Sequence, residues 1–465
     1  MAPSPLKLRA ANAAAHGLLQ LFAANYNLRP GMRKYLRGTR GWIDFSVGFR
    51  TEDDGVRHAL IFEKGRVRVP LSPPDRVDGS MVFQDEDAMR KMLEGSPSEI
   101  LIMVMQNRIG TEGNSMCVML FNYLLTVLVN PATGWKHSSN GAPKAFIGPG
   151  DTPAQPEPRI EAPSSRCSRL SAENTDPGVK FLPDPYLPDY SIDDFPRLRD
   201  FLDIHFSVRP EVCPERAKLV TDWHIRNGFF KRKNNGGRWI PELRQACVFK
   251  HLMSHRKPII RKNDLVAGTT TSKEIGVVLY PDSHGLYIWP ELGSLPDREL
   301  NPYNISTETA KTLHRHVYPY WMRLNFKEWV RKKYDDPLCQ RLDDRFAVYF
   351  AWKTVGFSHT IPDFPRLLEK GTDGIRSEID SQVALLPDSD IEKRAVLEAM
   401  RISLDGLDLY ALNLSSQAAA EASREQDPHR RAELERLADI CAKVPARPAE
   451  TLDEAVNAVW IAWVG

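Results

Sequence analysis

The sequence has little of what several common classes of protein require. It contains six cysteines in 465 residues, and they stand singly, without a C-x-x-C pair. This spacing argues against a zinc ribbon or a disulfide framework and is typical of free thiols in a reducing cytoplasm. The motifs G-x-x-x-x-G-K-[ST], G-x-G-x-x-G and G-x-S-x-G are absent. Nucleotide cofactors and serine-hydrolase chemistry therefore have no sequence support.

The sequence also lacks an excess of charge and a long apolar run. Lys and Arg total 62 against 60 for Asp and Glu, a formal net charge of +2. Nucleic-acid-binding proteins usually carry a strong basic excess, so we expect no nucleic-acid partner. The apolar stretch MCVMLFNYLLTVLVN is shorter than the roughly 18 residues that span a bilayer. We expect no membrane span and interpret this stretch as a buried helix.

Residues 1–130 mix strand and helix patterns. WIDFSVGF (42–49) alternates apolar with polar or small residues, the period of a half-buried strand. An Asp54-Gly55 turn and VRHALIFE follow, which predicts a hairpin. GRVRVPL predicts a third strand, DEDAMRKMLEG a short helix, and NSMCVMLFNYLLTVLV a longer helix.

The middle of the chain is rich in proline, and helical patterns dominate after it. Residues 131–188 hold 11 of the 35 prolines, so we predict a linker over 131–190. Pro210 is interpreted as the start of a helix with a stripe of Cys213, Ala217 and Val220.

Two later helix starts are marked by capping residues. Asp427 before a proline predicts one helix, and Thr451 with Glu454 forms a capping-box pattern before the apolar tail DEAVNAVWIAWVG. Chain termini are usually solvated. We therefore expect Trp460 and Trp463 to need a partner surface beyond this chain.

HLMSH places His251 and His255 four residues apart, the spacing of two zinc ligands on a helix. Leu252 stands where a metalloprotease has its glutamate, and the sequence shows no third ligand. We interpret the pair as surface histidines and predict no metal site. The basic segment KRKNNGGRW (231–239) is interpreted as a solvated loop, because the total charge is balanced.

GFSHTIPDF (356–364) brings an aromatic residue, a histidine and a Pro-Asp turn together between apolar segments. Such loops are common walls of binding sites. We predict Phe357, His359 and Asp363 as substrate-binding residues; the alternative for His359 is a hydrogen bond to the loop backbone.

Five stretches, in order, resemble the front part of glycyl radical enzymes of the pyruvate formate-lyase type. They are RPEVCPERAKLVTD (209–222), KPIIRKNDLVAGTTTSKEIGVVLYPD (257–282), GFSHTIPDFPRLLEKGTDGI (356–375), EKRAVLEAMRISLDGLDLYA (392–411) and RRAELERLADICAKVPARPAETLDEAVNAVWIAWVG (430–465). The departures are mild: the family usually has Glu at Asp222 and Asp264 and Tyr at Phe364.

The resemblance implies a radical mechanism whose key residues are not in this chain. In the family, a backbone glycyl radical oxidises a cysteine thiol on a barrel loop, and the thiyl radical abstracts a hydrogen atom from the substrate. None of the six cysteines has the family's Gly-Cys context, and no R-V-x-G-[YF] segment is present. The tail then looks like the first buried element of a barrel that this chain does not complete. By the same resemblance, His359 would orient a substrate hydroxyl or carboxylate.

Residues 28–130 are similar to sterol-carrier-protein domains, which are α/β folds with an apolar tunnel; the alternative is that the apolar helix only fills its own core. The expected fold class is α/β plus mostly α: a small sterol-carrier-like α/β domain over 1–130, the linker over 131–190, and over 191–465 the helical front portion of an incomplete glycyl-radical-enzyme α/β barrel.

We therefore predict the N-terminal portion of a glycyl radical enzyme of a lyase, dehydratase, decarboxylase or C–C bond-forming type, in the formate acetyltransferase family and inactive alone. The resemblance implies no directly bound cofactor, a radical installed by a radical SAM activating enzyme, an anaerobic setting, and a small organic or apolar substrate. A second polypeptide or a homodimer partner is a further expectation. The alternative is a non-catalytic lipid-, acyl- or partner-binding protein on the same scaffold.

Overall fold

A computed structural model describes residues 5–94, 102–104, 106–129, 194–198, 207–283, 285–298, 300–345 and 362–465. The predicted linker over 131–190 lies outside these ranges. The chain divides into two compact units, described here one at a time. The first consists of Met1–Ser139, Leu279–Arg298 and Ile305–Thr360, and the second of Asn140–Val278, Glu299–Asn304 and Ile361–Gly465.

The described elements are mostly helical. The α-helices are α1 (Pro5–Leu28), α2 (Glu86–Glu94), α3 (Ser115–Val129), α4 (Glu215–Asn227), α5 (Pro241–His255), α6 (Thr307–Thr312), α7 (Tyr318–Trp321), α8 (Phe326–Arg331), α9 (Pro337–Asp344), α10 (Phe364–Leu385), α11 (Ile391–Ala422), α12 (Pro428–Lys443) and α13 (Leu452–Val464). The strands are β1 (Arg37–Gly38), β2 (Gly41–Trp42), β3 (Phe45–Thr51), β4 (Arg57–Glu63), β5 (Arg66–Arg68), β6 (Gly79–Phe83), β7 (Ile109–Gly113), β8 (Glu211–Cys213) and β9 (Gly276–Val278). Among these helices, none is long and apolar enough to cross a bilayer.

The first unit is built on a five-stranded sheet with the order β5-β4-β3-β6-β7. The predicted hairpin is present: β3 pairs antiparallel with β4, with Phe45 opposite Phe62. Asp54 has a φ of 56° in the connecting turn, a conformation that Asp tolerates better than most residues. β3 and β6 run parallel, while β6 and β7 pair antiparallel.

Aromatic rings fill the core against this sheet. Phe45 stacks on Phe62 with ring centroids 4.1 Å apart, and Phe22 of α1 lies 5.4 Å from Phe121 of α3. α3 is the predicted apolar helix, and Leu124 at its centre is fully buried. The packing explains why the apolar stretch is a buried helix. The likeness to sterol-carrier domains stays a prediction.

His314 is a fully buried titratable side chain in the first unit. It lies in a π-helical turn, Leu313–Val317, between α6 and α7. Its Nδ1 accepts a hydrogen bond from the indole N–H of Trp289 at 3.0 Å, and its Nε2 lies 2.8 Å from the carbonyl oxygen of Tyr35. Nδ1 must accept from Trp289, and Nε2 must donate to the carbonyl of Tyr35. The ring is therefore the neutral tautomer that carries its proton on Nε2. Burial lowers the pKa of His314 to about 4.

The second unit begins with a short parallel pair in which Glu211 lies opposite Gly276. The predicted helix start at Pro210 is wrong, because strand β8 follows Pro210 and α4 begins at Glu215. The predicted helical stripe is also wrong at its first member, since Cys213 lies in β8. The amide of Val212 donates to the carbonyl of Asn304 at 2.8 Å. These long-range partners favour the extended backbone, and a helical period in the local sequence cannot reveal them.

The long helix α11 is the central element of the second unit. A Cβ added at Gly406 would lie 2.9 Å from the Cα of Lys250, so glycine permits close approach of α11 and α5. The two later predicted helix starts, at Asp427 and Thr451, are confirmed. Asp427 accepts from the amide of His429 at the start of α12, and Thr451 and Glu454 form a complete capping box on α13.

The buried His314 makes stability depend on pH. Its pKa in the folded state lies below the ordinary value of 6.5, so the unfolded chain binds a proton first as the pH falls. The contribution of His314 is fully present above about pH 6.5 and is lost between about 6.5 and 4. From pH 7.5 to 5.5, we expect His314 to lower the free energy of unfolding of the first unit by about 1.4 kcal/mol.

Urea unfolding of the wild type and of His314→Gln at the two pH values measures this contribution. The glutamine variant is expected to be less stable at pH 7.5, because the Trp289 N–H loses its acceptor. Its stability should also fall less on acidification than that of the wild type. Equal pH slopes for the two proteins would contradict the assignment.

Candidate functional site

The structure describes one of the three predicted substrate-binding residues. Phe357 and His359 lie outside the described residues. Asp363 is exposed and is the N-cap residue of α10, where its carboxylate accepts a hydrogen bond from the amide of Arg366 at 3.2 Å. The next residue, Phe364, has its ring centroid 6.4 Å from that of Trp463 on α13. Asp363 therefore lies close in sequence to an aromatic contact with the terminal helix.

Near α13 lies a segment that we call the pinned loop, Leu265–Thr271. Its backbone groups are bound by side chains from α13. Asn457 accepts from the amide of Ala267 at 3.1 Å and donates to the carbonyl of Leu265 at 3.3 Å. The indole N–H of Trp460 donates to the carbonyl of Gly268 at 2.8 Å. These bonds replace water at three backbone groups that are partly or fully buried.

Arg256 holds the pinned loop from the other side. The residue is 8% exposed, and its guanidinium donates to the carbonyl of Val464 at 2.7 Å and to the carbonyl of Thr269. It also lies over the ring of Tyr410, 4.6 Å from the centroid. Burial raises the pKa of Tyr410, although Arg256 opposes this rise. The guanidinium thus links the end of α5, the pinned loop and the end of α13.

Gly268 is the residue at which the pinned loop requires glycine. Its φ is +99°, and an added Cβ would lie 2.9 Å from the hydroxyl oxygen of Tyr410. Both the backbone conformation and the close approach of Tyr410 exclude a larger side chain. The pinned loop is therefore a preorganised element, and its shape depends on α5, α11 and α13 together.

Three of the described cysteines are buried and lack the exposure of reactive thiols. Cys117, Cys213 and Cys441 are at most 3% exposed. Burial raises the pKa of Cys117 strongly, that of Cys441 to about 12, and that of Cys247 above its ordinary value. A high pKa and burial disfavour the thiolate. Cys117, Cys213 and Cys441 fill packed space, in accordance with their lack of the Gly-Cys context.

The two histidines on α5 contact each other and Arg226. The ring centroids of His251 and His255 are 4.0 Å apart, and a guanidinium nitrogen of Arg226 lies 3.1 Å from Nε2 of His251. Burial, His255 and Arg226 lower the pKa of His251 to about 4. Over the described ranges, no group of three or more His, Cys, Asp or Glu is arranged to hold a metal.

A groove of about 1030 Å³ runs between α5, α10 and α11. Its lining is largely apolar and includes Phe249, Ile379 and Met400. An ion pair of Arg366 with Glu378 also borders it. The groove offers apolar contacts and one ion pair, and its lining contains no cysteine or histidine.

The sequence reasoning missed the roles of the residues that organise the pinned loop, and for Trp460 it expected a partner beyond this chain, whereas its indole N–H binds Gly268. A signal for them was present, because Tyr410, Asn457 and Trp460 all lie inside the stretches that carry the family resemblance. Arg256 directly precedes another of these stretches. Their roles depend on partners that lie far away in the sequence, so no local pattern marks them.

Removal of the Asn457 side chain should loosen the pinned loop. In Asn457→Leu the amide of Ala267 loses its acceptor while it stays buried, which costs about 1–3 kcal/mol. Asn457→Asp keeps an acceptor oxygen and should retain more stability. Hydrogen exchange of the amides of residues 265–271 measures the effect. Unchanged exchange in the leucine variant would show that the loop does not depend on Asn457.

Known proteins resemble this chain over more than half of its length. An isethionate sulfite-lyase from Oleidesulfovibrio alaskensis is 32% identical over 280 residues, which cover 57% of this chain and 32% of that protein. A trans-4-hydroxy-L-proline dehydratase from Clostridioides difficile is 25% identical over 281 residues, which cover 58% of this chain and 34% of that protein. The chain spans about a third of the length of the curated relatives that it matches.

A solved structure and a family model agree with these relatives. The structure, which concerns 1,2-propanediol dehydration in Roseburia inulinivorans, aligns with a TM-score of 0.51 and 26% identity, over 58% of this chain and 31% of that one. The family model described as pyruvate formate lyase-like matches residues 196–465. This match contains the pinned loop and each of the side chains that hold it, and it covers more than half of the sequence. The chain belongs to the pyruvate formate lyase-like family.

Proposed function

We propose that this chain forms the N-terminal portion of a glycyl radical enzyme that carries out an elimination reaction. The observation that carries the proposal is the match of residues 196–465 to the family, together with relatives that are a sulfite-lyase and a dehydratase. In this proposal the catalytic cysteine and the radical glycine are supplied by further polypeptide. The share of about a third of the relatives' length supports that part.

The substrate class that we propose is a small hydroxylated organic compound. The names of the relatives specify isethionate and trans-4-hydroxy-L-proline, and the solved structure concerns 1,2-propanediol. All three compounds are small and carry a hydroxyl group. The apolar substrate suggested by the sterol-carrier likeness is the less favoured choice.

The roles of individual residues follow from this proposal. The pinned loop and α13 would form part of the rigid scaffold that holds a substrate in place and excludes water during radical chemistry. Phe357, His359 and Asp363 would contribute to the wall of the substrate cavity. A radical SAM activating enzyme would install the radical, in the cytoplasm and without oxygen.

The test of the radical proposal is anaerobic activation of the complete enzyme. This chain, together with the polypeptide that completes it, is mixed with a radical SAM activating enzyme, reductant and S-adenosylmethionine. We expect a glycyl radical signal by electron paramagnetic resonance, and turnover of isethionate, 1,2-propanediol or trans-4-hydroxy-L-proline. The chain alone, treated in the same way, is the control and should give neither result.

The possible results separate the alternatives. A radical without turnover of any hydroxylated compound would contradict the substrate class and retain the radical enzyme. A known glycyl radical enzyme, activated under the same conditions, is the positive control. If the control forms a radical and this protein does not, the proposal fails, and a non-catalytic binding protein on this scaffold is favoured.

His359 is expected to affect catalysis in the activated, complete enzyme. His359→Gln removes the proposed hydrogen bond to the substrate and should lower kcat/KM by about tenfold or more. The matched control is His255→Gln, which changes an exposed histidine on α5 and should leave kcat/KM unchanged. If both variants have wild-type kcat/KM, the proposed role of His359 is wrong.

A further inference from the structure

The charge of this chain is distributed unevenly. The first 43 residues contain seven Lys and Arg residues and no Asp or Glu. The whole chain has a formal net charge of +2, so residues 44–465 together carry −5. An excess of one sign in one segment of a nearly neutral protein is the electrostatic mark of an interaction surface.

Four of these seven residues, together with Arg66, are exposed near the hairpin β1–β2 of the first unit. We call this group the basic cluster; its members are exposed arginines at the hairpin β1–β2 and next to it, and they are Arg29, Arg33, Arg37, Arg40 and Arg66. Arg33 lies in the helical turn Arg33–Leu36 just before β1 and donates to the carbonyl of Gly65 at 2.9 Å, which connects this turn to the β4–β5 turn. The ion pairs between described residues include none of these five arginines.

Trp42 lies within the basic cluster and is 38% exposed. The guanidinium groups of Arg33 and Arg37 lie 5.3 Å and 5.6 Å from the centroid of its ring. An added Cβ at Gly65 would lie 2.5 Å from a ring carbon of Trp42, so the Gly65 backbone packs against the ring. These neighbours leave little of the ring face free to stack on a nucleic-acid base.

Helix α1 leads into the basic cluster with an apolar outer face. Leu18, Leu21 and Leu28 are 49%, 61% and 81% exposed, and their spacing of three and seven residues places them along one side of the helix. Phe22 and Tyr26 on the other side are buried in the core. Asn27 and Val67 exchange two hydrogen bonds, which attach the end of α1 to β5 of the sheet.

We propose that this surface docks the first unit onto an anionic phospholipid membrane. The leucines of α1 would lie at the level of the acyl chains, while the basic cluster would bind lipid phosphate and carboxylate groups. Interfacial helices bind a membrane surface by burying apolar side chains and by electrostatic attraction to anionic lipids. Arginine suits the task because its planar guanidinium binds phosphate and carboxylate oxygens in pairs.

The same features favour a membrane over other anionic partners. Single-stranded nucleic acids are bound by a basic groove in which free aromatic faces stack on bases, whereas the Trp42 ring is packed against its own neighbours. Nucleic-acid phosphates also gain nothing from exposed leucines. An acidic protein could form ion pairs with the arginines, but such pairing would not require the exposed leucines of α1 beside them.

Vesicle binding of the full chain tests the proposal. We expect the chain to sediment with phosphatidylcholine vesicles that contain about 30% phosphatidylserine and to stay in solution with phosphatidylcholine alone. Binding should weaken as salt is added, because salt screens the attraction. Arg29→Gln/Arg37→Gln/Arg40→Gln should lower the partition coefficient about tenfold or more.

Two further variants complete the test. The charge-matched control, Lys231→Gln/Lys233→Gln/Arg238→Gln, removes three exposed basic residues of the second unit and should bind as the wild type does. Leu21→Gln/Leu28→Gln keeps the basic cluster and should also weaken binding. Thermal melting and circular dichroism of each variant check that it is folded.

Several results would overturn the proposal. These are an absence of binding to the anionic vesicles, equal binding by the arginine variant and the wild type, and equal loss in the control variant. Tighter binding to single-stranded RNA than to vesicles would assign the surface to nucleic acid. Self-association that the leucine variant abolishes, without a change in vesicle binding, would assign the α1 face to a second copy of the chain.

Discussion

The second unit depends on a buried positive charge. Arg256 is almost fully removed from water, and burial of an unpaired charge is costly unless hydrogen bonds compensate for the lost solvation. Here two carbonyl oxygens and an aromatic face surround the guanidinium. One carbonyl belongs to the pinned loop and the other to the end of α13. The solvation of Arg256 therefore requires that α5, the loop and the terminal helix are assembled together.

The first unit also buries a polar side chain, but this side chain is uncharged. His314 is buried as the neutral imidazole, with one nitrogen bound to an indole N–H and the other to a backbone carbonyl. The bonds come from elements that are far apart in the sequence, so the ring ties Tyr35 and Trp289 to the π-helical turn. Burial in an aromatic core and complete hydrogen bonding make this arrangement specific to one tautomer.

The family match and the excess of basic charge lie in different parts of the chain. The family match lies over residues 196–465, where the pinned loop and its supporting helices form a rigid framework. The excess of basic residues lies in the first 43 residues, at a distance along the chain from that framework. In the membrane proposal, the family scaffold would carry the chemistry. The basic cluster and the leucines of α1 would determine where in the cell the protein acts.

The amino-acid sequence by itself determined the features that depend on neighbours along the chain. The alternation over 42–49, the cap at Asp427 and the capping box of Thr451 and Glu454 were predicted, because strand period and capping bonds join residues a few positions apart. Family motifs in the right order also predicted the relationship that the comparisons confirm. The tertiary structure decided the rest. Cys213 lies in a strand because the partners of β8 are some 60 to 90 residues away, and Arg256 is buried because a carbonyl 208 residues away binds it. No local pattern contains such partners, since folding of the whole unit brings them together.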